Sequence, residues 1–443
     1  VNEEHTATGE PGRPGEERRA AGEPGRPRGG ESTAAVHVLV VAAPGLTADR
    51  GLLRQVAEAE CRALGVEGRL VVATGAASLW DVLSTAGKDE SCALVVLHGP
   101  DPAVRPVQSR PGPHAPRTVW YDPGLPGATD VTPGSTHMSG RGVWGLAWAV
   151  RHTVHRLRHP AHRVPYGPAG DQWADLRLPS TPVSSAGSGG PGAERLSGVA
   201  HASDTAHLPA TSDVSGIADT SVGPVPVVML VHGGFWRSVW GADLMDAPAV
   251  DLTARGYATW NVEYRRPDHH GWQATTADVA AGLAALHDLA TTDRRIDPRR
   301  VAVAGHSAGG QLALRLAADT GPSGLAFAVS LAGVVDLREG DRRRMGAGAV
   351  AAALGGSHED VPWVYAAADP LSRLPLGVPH LVVQGRDDDL DLVDMARRYT
   401  AAARAAGDHV IHLEHPGDHF AVIDPATPIW AATVEELARH LHP

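Results

Sequence analysis

The sequence predicts an α/β protein made of two doubly wound parts, and three observations carry that prediction. Short apolar runs alternate with amphipathic segments along most of the chain, which implies parallel strands joined by crossover helices. Two stretches rich in Ser, Gly, Pro and charge interrupt the pattern, at 1–34 and at about 180–223. At 443 residues the chain is also too long for one ordinary core.

The elements follow in order. Residues 1–34 bury too little to offset chain entropy and read as a disordered tail. Order begins with the strand-like run Val36–Ala42 (VHVLVVA). A helix at Leu52–Leu64, a strand at Leu70–Ala73, a helix at Ser78–Thr85 and a strand at Ala93–Leu97 come next. Trp144–Leu157 reads as the closing helix of this first domain, 35–163. The second domain, 164–443, opens with strand character in Val164–Pro179. The low-complexity stretch at about 180–223 reads as a disordered insertion within it, tolerable because long loops add little closure entropy. Strands are then expected at Val227–Val231, Tyr257–Tyr264, Val301–Ala304, Ala326–Leu331, His380–Gln384 and His409–Glu414. Helices are expected at Thr275–Leu289, Ala308–Ala318 and Thr433–Leu441.

Composition narrows the function. Hydrophobic residues make up 43% and charged residues 20%, as in ordinary globular proteins. A formal net charge of −11 argues against a nucleic-acid surface. No uninterrupted apolar stretch is long enough to span a bilayer, and the first thirty residues hold no apolar run of the secretory kind. No membrane role is expected, and a cytoplasmic location is. Cys61 and Cys92 match no metal spacing and read as buried thiols.

The chemistry sits in four pieces. In VAVAGHSAGGQLALRLAA a strand ends at Gly305, Ser307 occupies the turn, and a helix starts at once. This is the Gly-X-Ser-X-Gly nucleophile elbow, which pushes the serine above the sheet and aims the N–H of Ala308 at its oxyanion. Upstream, a strand runs into His232-Gly233-Gly234-Phe235-Trp236, where paired glycines turn backbone N–H groups toward a reacting carbonyl; His232 reads as structural. Downstream, QGRDDDLD places Asp387, Asp388, Asp389 and Asp391 just past a strand end, all competing to be the triad acid. Last, His419 lies between the final strand and helix, while His412 and His415 read as structural. The chain order Ser, Asp, His is the one this architecture produces. Ser307 is expected to attack an acyl carbon while His419 takes its proton, with no metal and no cofactor.

With HGGFW, GHSAGG, QGRDDD and GDHF, plus EYRR at Glu263–Arg266, the second domain resembles the kynurenine formamidase and small-carboxylesterase branch of the α/β-hydrolases. The resemblance implies a sheet with helices on both faces and puts the triad acid on Asp388. It implies Gly233, Gly234 and Ala308 as oxyanion donors. The family's Val-Pro after the acid is Asp391-Leu392 here. Trp after HGG is typical of formamidase-like members, so Phe235 and Trp236 are candidate walls of a small acyl pocket, with core packing as the other reading of Trp236.

The first domain, through VLVVAAPGL, VVLHGP and GRGVWGLAWAV, resembles a type II 3-dehydroquinate dehydratase of flavodoxin-like fold. It departs where that chemistry would sit: Ala42-Ala43-Pro44-Gly45 replaces Asn-Gly-Pro-Asn, and Tyr121-Asp122-Pro123 replaces the His-Ile-Ser anchor. A non-catalytic domain for regulation or homo-oligomer formation is therefore implied.

The expected function is a serine hydrolase cleaving a small-molecule acyl ester or amide. The alternatives are an arylformamidase of the N-formylkynurenine type, an aminopeptidase or thioesterase on the same fold, and a non-catalytic ligand sensor built from two idle enzyme folds. A last cluster, His152, His155, His159 and His162, reads as a basic, solvated helix end in preference to a metal site, because no carboxylate stands nearby in the sequence.

Overall fold

The first strand already shows why two layers form on each side of a sheet. In β1 (His37–Ala42), Val38, Val40 and Ala42 point into one core, and Leu39 and Val41 into another. The computed structural model describes residues 35–124, 130–180 and 223–441. The tail expected at 1–34 lies outside the described residues, as does nearly all of the insertion expected at about 180–223.

β1 is followed by α1 (Arg50–Ala63), β2 (Glu67–Val72), α2 (Ala76–Ala86) and β3 (Cys92–Leu97). The start of α1 is set by Asp49, whose carboxylate accepts the Leu52 N–H at 2.7 Å. Then come β4 (Thr118–Asp122), β5 (Thr136–Ser139) and α3 (Gly145–Arg158). The five strands are parallel in the order β2-β1-β3-β4-β5, the flavodoxin-like doubly wound order. Cys61 and Cys92 are free and buried, and burial raises the Cys61 thiol to about 11.

The second sheet uses β6 (His162–Pro165), β7 (Trp173–Arg177), β8 (Val225–Val231), β9 (Ala258–Val262), β10 (Ile296–His306), β11 (Phe327–Leu331), β12 (His380–Gly385) and β13 (Val410–His415). Their order is β13-β12-β11-β10-β8-β9-β7-β6, with β7 antiparallel to both neighbours. This is the α/β-hydrolase sheet, with its elbow at the end of β10. The helices are α4 (Asp246–Ala254), α5 (Pro267–His270), α6 (Trp272–Thr292), α7 (Ala308–Thr320), α8 (Leu337–Arg342), α9 (Met345–Leu354), α10 (Pro362–Ala368), α11 (Leu390–Ala405) and α12 (Pro428–Leu441). One face of the sheet is covered by α6, α7 and α11, the other by α4 and α12.

The two sheets share a core. Val38, Val40 and Val95 belong to the same buried cluster as Val228, Leu230, Val329 and Leu381. Between them lie α1 and α3 from the first part and α4 and α12 from the second. Residues 36–443 accordingly group as one unit.

Charge pairs cross this seam, and one of them corrects the reading of the histidine cluster. His152 is buried, with Nδ1 at 2.5 Å from Asp246 Oδ2 and Nε2 at 3.3 Å from Thr136 Oγ1. Arg177 approaches the same carboxylate at 3.5 Å. Burial alone would raise Asp246, yet His152 and Arg177 bring it down to about 2. The missing carboxylate lies 94 residues along the chain, where no local pattern could reveal it. Among the described residues no helix is long and apolar enough to cross a membrane.

Candidate active site

Ser307 sits where β10 meets α7, with φ +55° and ψ −118°, a left-handed conformation rare for a residue with a side chain. The turn closes because its neighbours lack side chains. A Cβ on Gly305 would lie 2.0 Å from the Gly309 carbonyl oxygen, and one on Gly309 would lie 2.2 Å from that of Val231. The Ser307 N–H donates to Leu331 O at 2.8 Å, which ties the elbow to β11. The strain is held by this packing, a pattern typical of functional turns.

The glycine pair after β8 lies against the elbow. A Cβ on Gly233 would stand 2.8 Å from Ser307 Cβ and 2.5 Å from His306 O. Gly234 has φ +108° and supports Trp240, whose Cβ lies 2.3 Å from where a Gly234 Cβ would be. Among the described residues, the N–H groups of Gly233, Gly234 and Ala308 donate to no other protein group. Unspent donors beside a strained serine are what a developing oxyanion needs.

His232 holds this loop, as expected. It is fully buried, stacks on Tyr264 with ring centres 4.3 Å apart, and lies 3.1 Å from Glu263 Oε1. The Tyr264 hydroxyl donates to His232 O at 2.8 Å, and Glu263 Oε2 accepts the Ala242 N–H at 3.0 Å. Glu263 is thus a hub that joins the loop's two ends. Trp236, a candidate pocket wall, is instead a core residue, 1% exposed, with its indole N–H given to Gln311 Oε1 at 3.1 Å. A fully buried indole offers no face to a ligand, so the packing reading of Trp236 is the one that holds. Phe235 stays half-buried, against Gly346.

The four competing aspartates separate by their partners. Asp388 Oδ2 lies 2.9 Å from His419 Nδ1. Asp387 instead accepts the Gly417 N–H at 2.9 Å and staples the histidine loop. Asp389 caps α11 by accepting the Asp391 N–H at 2.9 Å, and Asp391 pairs with Arg343 at 2.7 Å. Asp388 also receives Gln384 Nε2 at 2.9 Å and the Asp389 N–H at 2.7 Å. Burial pushes its carboxyl up, but the His419, Asp389 and Gln384 hydrogen bonds outweigh that and hold it below the ordinary range. An ionised Asp388 only accepts, so the His419 proton is on Nδ1 and the Nε2 lone pair is left for the serine.

The structure brings His419 to Asp388 and to the elbow. Its ring centre is 4.7 Å from that of His306, the residue before Ser307. Among the described residues no hydrogen bond joins the Ser307 hydroxyl to His419; such contacts often tighten only with substrate bound. His306 Nε2 donates to His419 O at 3.0 Å, fixing the loop backbone to the elbow.

His306 also sets a pH dependence. Burial, then the neighbouring His419, pushes its pKa from 6.5 to about 3. The folded protein keeps this ring neutral, whereas the unfolded chain protonates it below 6.5. Stability is therefore complete above 6.5 and is lost as pH falls toward 3, at about 1.4 kcal/mol per pH unit. Melting temperature is expected to fall steadily between pH 6.5 and 4 and to fall less steeply in His306→Gln. Parallel slopes for the two proteins would refute the assignment.

His306, Gln384 and Glu263 had no role assigned from sequence, and Asp387 was a candidate acid and not the loop staple it proves to be. For Asp387 and Gln384 a signal existed, since both flank the acid on a strand-end loop.

A BD-FAE family profile matches residues 217–397. Esterase LipC of Mycobacterium tuberculosis (strain ATCC 25618 / H37Rv) is 30% identical over 228 residues, covering 46% of this chain and 55% of its own. The chain thus spans about half the length of the curated relative it matches. Among solved structures, a bacterial heroin esterase is similar at 25% identity and TM-score 0.43, over 50% of this chain and 76% of its own. Esterase B from Lactobacillus rhamnosis (HN001) is similar at 18% identity and TM-score 0.47, over 66% of this chain and 89% of its own.

Proposed function

We propose that this protein is a serine hydrolase that cleaves a small acyl ester through an acyl-serine intermediate. The observation that carries the reading is the left-handed Ser307 elbow faced by three unspent N–H groups. Ser307 Oγ adds to the acyl carbon while His419 Nε2 takes its proton, and the carbonyl oxygen gains the charge. The N–H groups of Ala308, Gly233 and Gly234 stabilise that oxyanion, and losing one donor would raise the barrier by on the order of 3 kcal/mol. Asp388 stabilises the imidazolium and fixes its tautomer. His419 then protonates the leaving group as its bond to the acyl carbon breaks; water, deprotonated by the same ring, adds to the acyl carbon, the bond to Ser307 Oγ breaks, and His419 returns the proton to Oγ as the acid leaves. A neutral His306 beside it adds no opposing charge. The 30% identity to an esterase supports the ester over other acyl bonds.

The narrower reading is an arylformamide substrate, supported by the HGGFW and GDHF resemblance. A panel of short p-nitrophenyl esters against formyl-aryl amides tests both. Ester turnover with N-formylkynurenine untouched keeps the esterase and removes the formamidase. Turnover of neither, by folded protein, removes both. The first part, in the same reading, is a dehydroquinase-like fold without dehydratase chemistry.

A further inference from the structure

Two loops build the site, and one short segment of the five-stranded part touches both. That segment, 139–148, is itself fixed to its sheet. The Gly140 N–H donates to Asp122 O at 3.0 Å and the Gly142 N–H to Pro123 O at 3.0 Å. The Tyr121 hydroxyl donates to Gly142 O, and Gly145 packs against the same phenol.

From this anchor Arg141 reaches the loop that follows the glycine pair. Its guanidinium donates to Val239 O at 2.6 Å and grips Asp243 with two bonds, at 2.5 and 2.8 Å. The side chain is 2% exposed, so the pair is desolvated, and removing one partner would strand the other charge. The guanidinium also covers Trp240 at 4.4 Å, and Trp240 is the side chain resting on Gly234. On the first turn of α3, Trp148 meets Trp240 edge-on at 6.3 Å and Phe420 at 5.5 Å. Phe420 in turn lies 5.5 Å from His419 and 5.8 Å from His306. Phe420 is 38% exposed, with its backbone N–H given to Asp418 Oδ1 at 3.0 Å.

We propose that Arg141 and Trp148 are positioning residues of the hydrolytic site: Arg141 fixes the oxyanion loop through Trp240 and Asp243, and Trp148 fixes the His419 loop through Phe420. The five-stranded part is then a working wall of the active site. This rests on the hydrolase reading. Neither residue reaches the reacting atoms, so the effect passes through alignment. Small displacements of a proton acceptor are costly, reaching about 100-fold for 1 Å.

The full chain carrying Trp148→Ala, Trp148→Phe, Phe420→Ala and the Trp148→Ala/Phe420→Ala pair tests this with a short p-nitrophenyl ester. Trp148→Ala is expected to lower kcat roughly 10- to 100-fold with KM within about threefold. Trp148→Phe should recover most of the loss, because an aromatic edge still meets Phe420. The double variant should be no slower than the slower single one, since both cut the same link. A folded Trp148→Ala with wild-type kcat, or losses that simply add, would overturn the proposal. If Trp148→Ala does not fold, Phe420→Ala is the decisive variant, and wild-type kcat there overturns it equally. A second readout needs no turnover: the downfield NMR proton of the His419–Asp388 hydrogen bond, identified by its loss in His419→Gln. It should persist in Ser307→Ala and Trp148→Phe and broaden away in Trp148→Ala or Phe420→Ala. A wild type inert to every ester would count against the hydrolase, while this signal would still decide whether the wall orders the imidazole.

Discussion

Ser307→Ala is expected to lower kcat for a short p-nitrophenyl ester by roughly 10⁴- to 10⁶-fold while KM changes little. The reason is that the hydroxyl forms the covalent bond, whereas binding is left to groups the substitution does not touch. The residue is 3% exposed and, among the described residues, its Oγ holds no protein hydrogen bond, so the variant should fold as the parent does. Some acceleration over water should survive, because the N–H groups of Gly233, Gly234 and Ala308 still meet the oxyanion. Labelling by a fluorophosphonate should disappear completely. A variant that keeps more than about one per cent of the rate would mean that another nucleophile does the work.

Asp388→Asn is the second large effect, about 10⁴-fold in kcat. The amide can present its NH₂ to His419 Nδ1, which turns the ring to the tautomer with no lone pair facing the serine. Asp387→Asn is the matched control in the same loop. Among the described residues the Asp387 carboxylate binds only the Gly417 backbone, so its loss loosens the loop without changing the tautomer. Side-by-side kinetics of the two variants decide the matter. Equal losses would show that the aspartate turn acts as a mere clamp and that its charge on the imidazole is not what counts.

The parts of this site that are visible in the sequence are those whose cause is local. Gly305 and Gly309 announce the elbow because the turn itself requires them, and β10 and α7 announce themselves by an apolar run followed by a helical stripe. The helix α11 was equally legible, since Leu392, Met395, Ala396, Tyr399 and Ala403 share one buried face. The strands β4 and β5 had weaker signals. THMS is too short and too mixed and is a strand only because β4 offers it an edge, while TVWYD, though rich in β-formers, is five residues long and is held by pairing with β3. Choice among the aspartates also lay beyond residue spacing, because it depends on where Gly417, Arg343 and His419 arrive in space. Trp236 shows the same limit: next to paired glycines an indole reads equally as pocket wall or filling, and only Gln311 settles it. Arg141 and Asp243 stand 102 residues apart, a separation that no periodicity bridges.

The cluster that runs from Val38 through Leu230 to Leu381 has a thermodynamic consequence. Because both sheets pack on the same helices, their melting is coupled, and a compound that docks anywhere on the five-stranded portion raises the free energy needed to unfold the portion that carries Ser307. At a concentration 100 times its dissociation constant that linkage amounts to about 2.7 kcal/mol. Ligands of the five-stranded portion thus become visible as thermal protection of the eight-stranded one.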